Sequence, residues 1–442
     1  NDSVFFLTGT DEHGAKNVKA AEKAGKTPQE LVDENYAKFY ALKNLLNLSF
    51  DDFIRTSDQQ RHWPAAQKIW LKLFEAGDLY RKKYRGLYCV GHEAFITEKD
   101  LVEEKCIDHQ TAPEIIEEEN WFFRLSRYSQ KIGKIIKSDE LKIIPETRKN
   151  EILSLIESGL EDVSFSRPRK DLSWGVPVPN DSNSTMYVWC DALVNYISAI
   201  GYGEKASSFS KWWPADIHLI GKDILRFHAA IWPAMLLSAG LDLPKELFVH
   251  GHITVNGQKM SKTIGNIIDP VELVNKYGVD AVRYFLLREI PSTEDGDFSC
   301  QKFEDRYNGD LANGLGNFSA RVIALGQKYL GKENQEVENV AIVRAIEKAK
   351  TSVDQKISEF KLHEALSAVW ELIGFGDRYL NEHEPWHTGD KRIIFNAVYL
   401  LSELADILQP FLPDSAEKIK QSVSLKNNKI EIKKSGILFP RL

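Results

Sequence analysis

The chain is poor in cysteine, with four thiols in 442 residues. So few cannot frame a disulfide scaffold, and they suit a reducing, cytoplasmic setting. No apolar run approaches the length of a membrane span and no secretory leader opens the chain, so no membrane role is expected. Positive charge is not in excess either. Lys and Arg total 57 against 64 Asp and Glu, a net charge of −7. That balance argues against broad, nonspecific nucleic-acid binding but permits a local basic surface. Internal repeats and low-complexity tracts are lacking too. What remains is a globular composition, over a length that exceeds one compact core and suggests two to four domains. Asn1-Asp2-Ser3 runs straight into an apolar strand, so an upstream piece is expected.

Val4-Phe5-Phe6-Leu7 reads as a strand, Thr8 to Gly14 as a polar loop, and the residues to about Ala24 as a helix stopped by Gly25. Thr27-Pro28-Gln29-Glu30 is a capping box with a first-turn proline, opening a helix to about Leu46. Strand, polar loop and helix make the βα unit of a parallel sheet, whose ligands bind beyond the strands' carboxyl ends. Asp11 and His13 stand on that rim, where a helix cap and a solvated histidine would fit the spacing as well. Later, Thr185 to Tyr196 reads as a strand running into a helix, with Trp189, Ala192, Leu193 and Tyr196 on one face. Ile217 to Ile220 is a strand, Gly221-Lys222-Asp223 a turn, and Ile224 to about Ala239 a helix with Ile224 and His228 on one side.

Between these lie two Cys-x-x-His pairs, Cys89/His92 and Cys106/His109, with the spacing of a structural zinc knuckle. Two half-buried cysteines beside two surface histidines would look the same. From about Phe303 onward the pattern is helical, with helices near 303–330, 340–360, 362–383, 390–409 and 413–423, as in a bundle. On it Asn317 and Arg321 share a face, and Trp386 follows Pro385.

The organising stretch is His250 to Asn266. An apolar strand meets an Asn256-Gly257 turn, and Lys259 and Lys262 then flank Met260-Ser261. Gly265 bends the chain again, and Asp269-Pro270 caps a new helix. Two compact positive charges on such a loop could clamp an anion.

Lys259-Met260-Ser261-Lys262-Thr263 resembles the KMSKS loop of class I aminoacyl-tRNA synthetases. The longer run to Asn266, with Thr8-Gly9-Thr10-Asp11-Glu12-His13-Gly14, is similar to the methionine-specific branch, and the likeness spans nearly the whole chain. It implies an α/β fold: a Rossmann-like parallel sheet with an inserted connective-peptide subdomain, then an all-α anticodon-binding helix bundle. Residues 1–84 and 151–255 would form the catalytic domain, 85–150 the insertion, 256–305 the loop and stem-contact region, and 306–442 the bundle.

The same resemblance implies ATP-dependent activation of methionine and its transfer to tRNA(Met), with Mg²⁺ accompanying the ATP. Lys259 and Lys262 would be catalytic. Asp11, paired with Arg167, would meet the methionine ammonium, with Trp189, Ala192, Leu193, Tyr196, Ile224 and His228 around the side chain. His13, Lys222, Asp223, Lys259, Ser261 and Lys262 would hold ATP, and Asn317, Arg321 and Trp386 would read the anticodon. Leu193 stands where some members carry proline. The family's His-x-Gly-His element is absent: His250-Gly251-His252 belongs to the strand before Lys259. That element is expected upstream of Asn1, and the chain as written is expected to adenylate poorly. The competing expectations are a synthetase-like RNA binder without catalysis and a nucleotide-dependent transferase on another small substrate.

Overall fold

A short strand, Leu7–Thr10, lies parallel to Asp52–Arg55 with Leu7 opposite Asp52 and Thr10 opposite Arg55. The computed structural model describes residues 3–91, 94–96, 101–107, 110–204, 208–260, 265–331, 339–426, 429–433 and 436–442. The chain separates into two compact units, residues 1–43 with 48–249, and residues 44–47 with 250–442. In the second unit one apolar core runs from Val255 to Phe439, so the loop region and the bundle share it.

In the first unit a three-stranded sheet has the order Ile217–Gly221, Glu246–His250, Lys142–Ile144, the last two parallel. The close approach of the first parallel pair depends on Gly9, where a side chain's first carbon would sit 2.2 Å from the Ile54 carbonyl oxygen. The insertion is built on a long antiparallel ribbon, Leu79–Cys89 against Glu114–Phe123. The capping box forms as read: Thr27 N–H donates to Glu30 Oε2 at 2.8 Å and Glu30 N–H to Thr27 Oγ1 at 3.3 Å.

The segment expected to be one helix from Ile224 to Ala239 is three pieces. A 3₁₀ turn, Lys222–Ile224, leads into a π-helical stretch, Phe227–Ile231, and an α-helix, Trp232–Ala239. Pro233 explains the break: it has no N–H for the preceding turn and its ring crowds the carbonyl four residues back, which a wider π turn relieves. Gly240, at φ +70°, ends the helix.

In the second unit the strands Ile253–Val255 and Gln258–Lys259 form a two-residue hairpin, with Asn256 at φ +51° and Gly257 at φ +75°. Positive φ at both turn residues is the geometry that Asn-Gly supplies. Helices Pro270–Tyr277 and Val279–Arg288 are divided at Gly278, as the sequence indicates. The bundle contains Asn317–Tyr329, Val340–Ser358, Leu362–His383, Lys391–Leu408 and Pro413–Ser422. The alternating tail Lys429–Ile432 pairs with Val423–Lys426. No helix among the described residues is long and apolar enough to cross a membrane.

Candidate active site

The first unit gathers an aromatic cage from two distant segments. Trp189, on the short helix Val188–Ala192, stacks on Phe227 with ring centres 3.8 Å apart and planes 7° from parallel. Tyr196 approaches from the helix Asn195–Ser198, and its hydroxyl lies 2.8 Å from His228 Nε2. His228 Nδ1 is 3.0 Å from the Ile224 carbonyl. A carbonyl only accepts, so Nδ1 carries the proton and Nε2 accepts from the tyrosine. Burial pushes the His228 imidazole down to about 4, so it is neutral at physiological pH. Burial lifts the Tyr196 phenol far above its ordinary value, so it stays protonated and keeps donating. His218 stacks on Tyr196 from behind, centres 4.1 Å apart, and burial holds it neutral too, with a value near 3. Ala192 and Leu193 are buried beside these rings. The cage is thus uncharged, and its two central polar groups are satisfied by each other.

Asp11 is exposed at the carboxyl end of Leu7–Thr10, with the Thr56 hydroxyl 3.5 Å from Oδ1. The loop around it is firmly tied. Glu12 is buried and receives Arg55 Nε at 2.8 Å, the Thr10 hydroxyl at 2.7 Å and the Ser57 hydroxyl. Its own N–H donates to Thr56 Oγ1 at 2.9 Å. His13 Nδ1 meets Asp191 Oδ2 at 2.6 Å, and His13 Nε2 is buried with no protein partner among the described residues.

Arg167 departs from expectation. Its guanidinium does not pair with Asp11 but grips Glu118 through Nε at 2.9 Å and Nη2 at 2.8 Å, while lying over the Tyr88 ring. The neighbouring ribbon strand presents Glu118 square to the guanidinium, and a two-point pair beats a single contact to a solvated carboxylate. Lys222 and Asp223 fall on the 3₁₀ turn after Ile217–Gly221, with Asp223 exposed.

In the second unit Asp297 fixes the hairpin that carries Lys259. It accepts from Gly257 N–H at 2.6 Å and Thr254 Oγ1 at 2.8 Å, and these hydrogen bonds hold its carboxyl below the usual range. Ser261 and Lys262 lie outside the described residues. On the bundle, Arg321 lies over the Trp386 ring, 5.4 Å from its centre, while Asp377 at 3.0 Å and Asn381 at 2.8 Å orient it. Asn317 is exposed one turn earlier on the same helix. Cys89 and Cys106 are buried in one small cluster with Ile96. Their proposed co-ligands His92 and His109 lie outside the described residues.

Comparison with known proteins identifies the family. Residues 1–106 and 96–323 match the family described as tRNA synthetases class I (M), and residues 339–440 match the anticodon-binding domain of tRNA ligases. The methionine–tRNA ligase of Thermotoga maritima is 42% identical, aligned over 99% of this chain and 72% of its own length. The chain belongs to the methionine–tRNA ligases of class I. The enzyme of Brucella suis is also 42% identical, over 94% of this chain and 83% of its own. A Mycobacterium tuberculosis methionyl-tRNA synthetase, solved in complex with methionyl-adenylate, superposes with a TM-score of 0.94 at 36% identity, covering 99% of this chain and 92% of that one.

Several residues that contact the sequence-predicted ones escaped the reading of the sequence: Glu12, Arg55, His62, Phe227, Asp191 and Glu118 in the first unit, and Asp297 and Asp377 in the second. Asp191 did leave a signal, as a charged residue enclosed by an otherwise apolar and aromatic run.

Proposed function

We propose that this methionine–tRNA ligase works as follows. The methionine carboxylate attacks the α-phosphorus of Mg-ATP, releasing pyrophosphate and giving methionyl-adenylate. The terminal adenosine hydroxyl of tRNA(Met) then attacks the activated carbonyl, and AMP leaves. The carboxylate is already ionised at neutral pH, so the first step needs no general base. The protein's task is positioning and charge neutralisation.

The observation that carries this reading is the neutral aromatic cage of Trp189, Tyr196 and His228, the first two of which flank in the chain the Asp191 that binds His13 of the Asp11 loop. A thioether packs well on aromatic rings, and a cage without free charge suits an apolar side chain. Ala192, Leu193 and Ile224 complete its wall. Asp11 receives the ammonium. Arg167, locked to Glu118, braces the ribbon side of the site instead of touching Asp11. His13, Lys222 and Asp223 serve the nucleotide, where an exposed carboxylate can accept from ribose hydroxyls. Lys259 and Lys262, with Ser261, neutralise the β- and γ-phosphates. Asn317, Arg321 and Trp386 take the anticodon bases by hydrogen bonding and stacking. Catalysis is favoured over a purely RNA-binding role because such a binder has no use for the cage or the paired lysines.

The test is methionine-dependent exchange of pyrophosphate into ATP, followed by charging of tRNA(Met). Whatever exchange the chain supports is expected with methionine and not with leucine; exchange that ignores the amino acid supplied would refute the reading.

A zinc ion at the insertion would be structural, since four protein donors leave no open position. Cys89 and Cys106 would hold it from their shared cluster, with His92 and His109 completing the set. The few thiols and a tRNA-charging reaction suit a reducing, cytoplasmic setting. Elemental analysis of purified protein is expected to find about one zinc per chain, as a closed four-donor site requires; a small fraction of that removes the site.

A further inference from the structure

The two halves of methionine recognition lie on separate pieces of chain. Asp11 stands on the loop after Leu7–Thr10, whereas Trp189 and Ala192 stand on Val188–Ala192. A single carboxylate ties them. Asp191, fully buried, accepts from His13 Nδ1 at 2.6 Å and from His62 Nε2 at 2.7 Å. His62 in turn contacts the Ser198 hydroxyl through Nδ1 at 2.9 Å. All four side chains are buried.

A buried carboxylate is costly even when paired, and an apolar replacement of similar size is often as stable. Its place in the chain shows what it connects. Asp191 sits between Trp189 and Ala192, and His13 follows Asp11 by two residues. We propose that the His13–Asp191–His62 chain is a positioning device. It holds the amine-reading loop in register with the side-chain-reading helix, so that the ammonium and thioether of methionine are read as one ligand. This rests on the roles given above to Asp11 and Trp189. His13 and Asp191 act here through their neighbours.

Other contacts brace the same joint. Trp174 Nε1 donates to the Glu12 carbonyl at 2.7 Å, and the Trp174 and Trp63 rings flank His13 at 5.4 and 6.1 Å. The charged groups facing His13 are Asp191, Asp11 and Glu12. Burial opposes protonation of His13, but these carboxylates outweigh it and raise its pKa. Asp191, despite its burial, is held below the ordinary carboxylate range by the two histidines. The loop histidine and the helix carboxylate therefore each favour the charged form of the other. Arg55 answers Glu12 at 2.8 Å, which leaves Asp191 as the counter-charge that reaches across to the helix.

The test is ligand truncation on the intact protein. Methionine is compared with 4-(methylthio)butanoate, which keeps the side chain and carboxylate but lacks the amine. The ratio of the two affinities, read by tryptophan fluorescence or calorimetry, reports how well the amine is used. His62→Leu removes one donor to Asp191 and keeps bulk; it is expected to lower the ratio about tenfold, the scale of one hydrogen bond to a charged group. The analogue's own affinity should hold. His62→Gln, whose amide can still donate to Asp191, should restore most of the ratio. Ser198→Ala, a milder change, should shift it the same way by less, and it decides the matter if His62→Leu does not fold. Equal weakening of both ligands, or an unchanged ratio, overturns the proposal. Asp11→Asn is the control for the underlying site: if it leaves the ratio intact, Asp11 does not read the amine, whatever His62 shows.

Discussion

Replacing Lys262 with alanine is expected to slow methionine-dependent pyrophosphate exchange by about 10²–10³-fold, the range found when one charge-stabilising donor is removed from a transition state. The KM for methionine should hardly move, because the loop carries no group of the thioether cage. The reason lies in when the charge appears. As the α-phosphorus is attacked, negative charge builds on the departing pyrophosphate, and a fixed ammonium stabilises that state more than the bound ATP. Lys259, on the second strand of a hairpin whose turn is pinned by Asp297 at 2.6 Å from the Gly257 amide, is expected to share the task. Asp297→Ala should therefore mimic a weaker lysine defect without touching either lysine. A Lys262→Ala protein with unaltered exchange would remove the phosphate role.

The second large effect belongs to the bundle. Trp386→Ala is expected to weaken tRNA(Met) charging, seen as a rise in the KM for tRNA, because stacking on one aromatic ring is worth roughly 1–3 kcal/mol per unpaired base. Pyrophosphate exchange without tRNA should be unchanged. Arg321 keeps Asp377 and Asn381 after the indole is gone, so its orientation survives and the loss is that of the stacking surface. Parallel loss of exchange and charging would make Trp386 a packing residue of the bundle.

How far these sites could be read in advance depended on how local their signals are. Helices of the bundle show it best. Leu362–His383 and Lys391–Leu408 match the periodic stretches 362–383 and 390–409 closely, because an apolar stripe, a cap and a breaker all lie within a few residues. The hairpin at Asn256-Gly257 was legible for the same reason. The stretch 303–330 was read as one helix, but Tyr307–Gly316 winds as a π-helix; its three glycines weaken the pattern without announcing a wider turn. Pairings across long spans were not legible. Glu118 meets Arg167 because a ten-pair ribbon register brings it there, and nothing near either residue encodes that register. Asp191 was passed over because its partners, His13 and His62, stand 178 and 129 residues away. Trp189, Tyr196 and His228 were found through family likeness, since an aromatic stripe alone reads as core.

The π-helical stretch Phe227–Ile231 makes the chain intolerant of a change in length there. An α-helix advances about 100° per residue, and the one extra residue that a wide turn absorbs is already taken up here, so inserting another beside Ala229 would rotate everything upstream of it by about that angle relative to Trp232. His228 would swing off the Tyr196 hydroxyl, and Phe227 would lose the face of Trp189. Beyond the identity of its buried side chains, the residue count of this segment acts as a ruler for the cage.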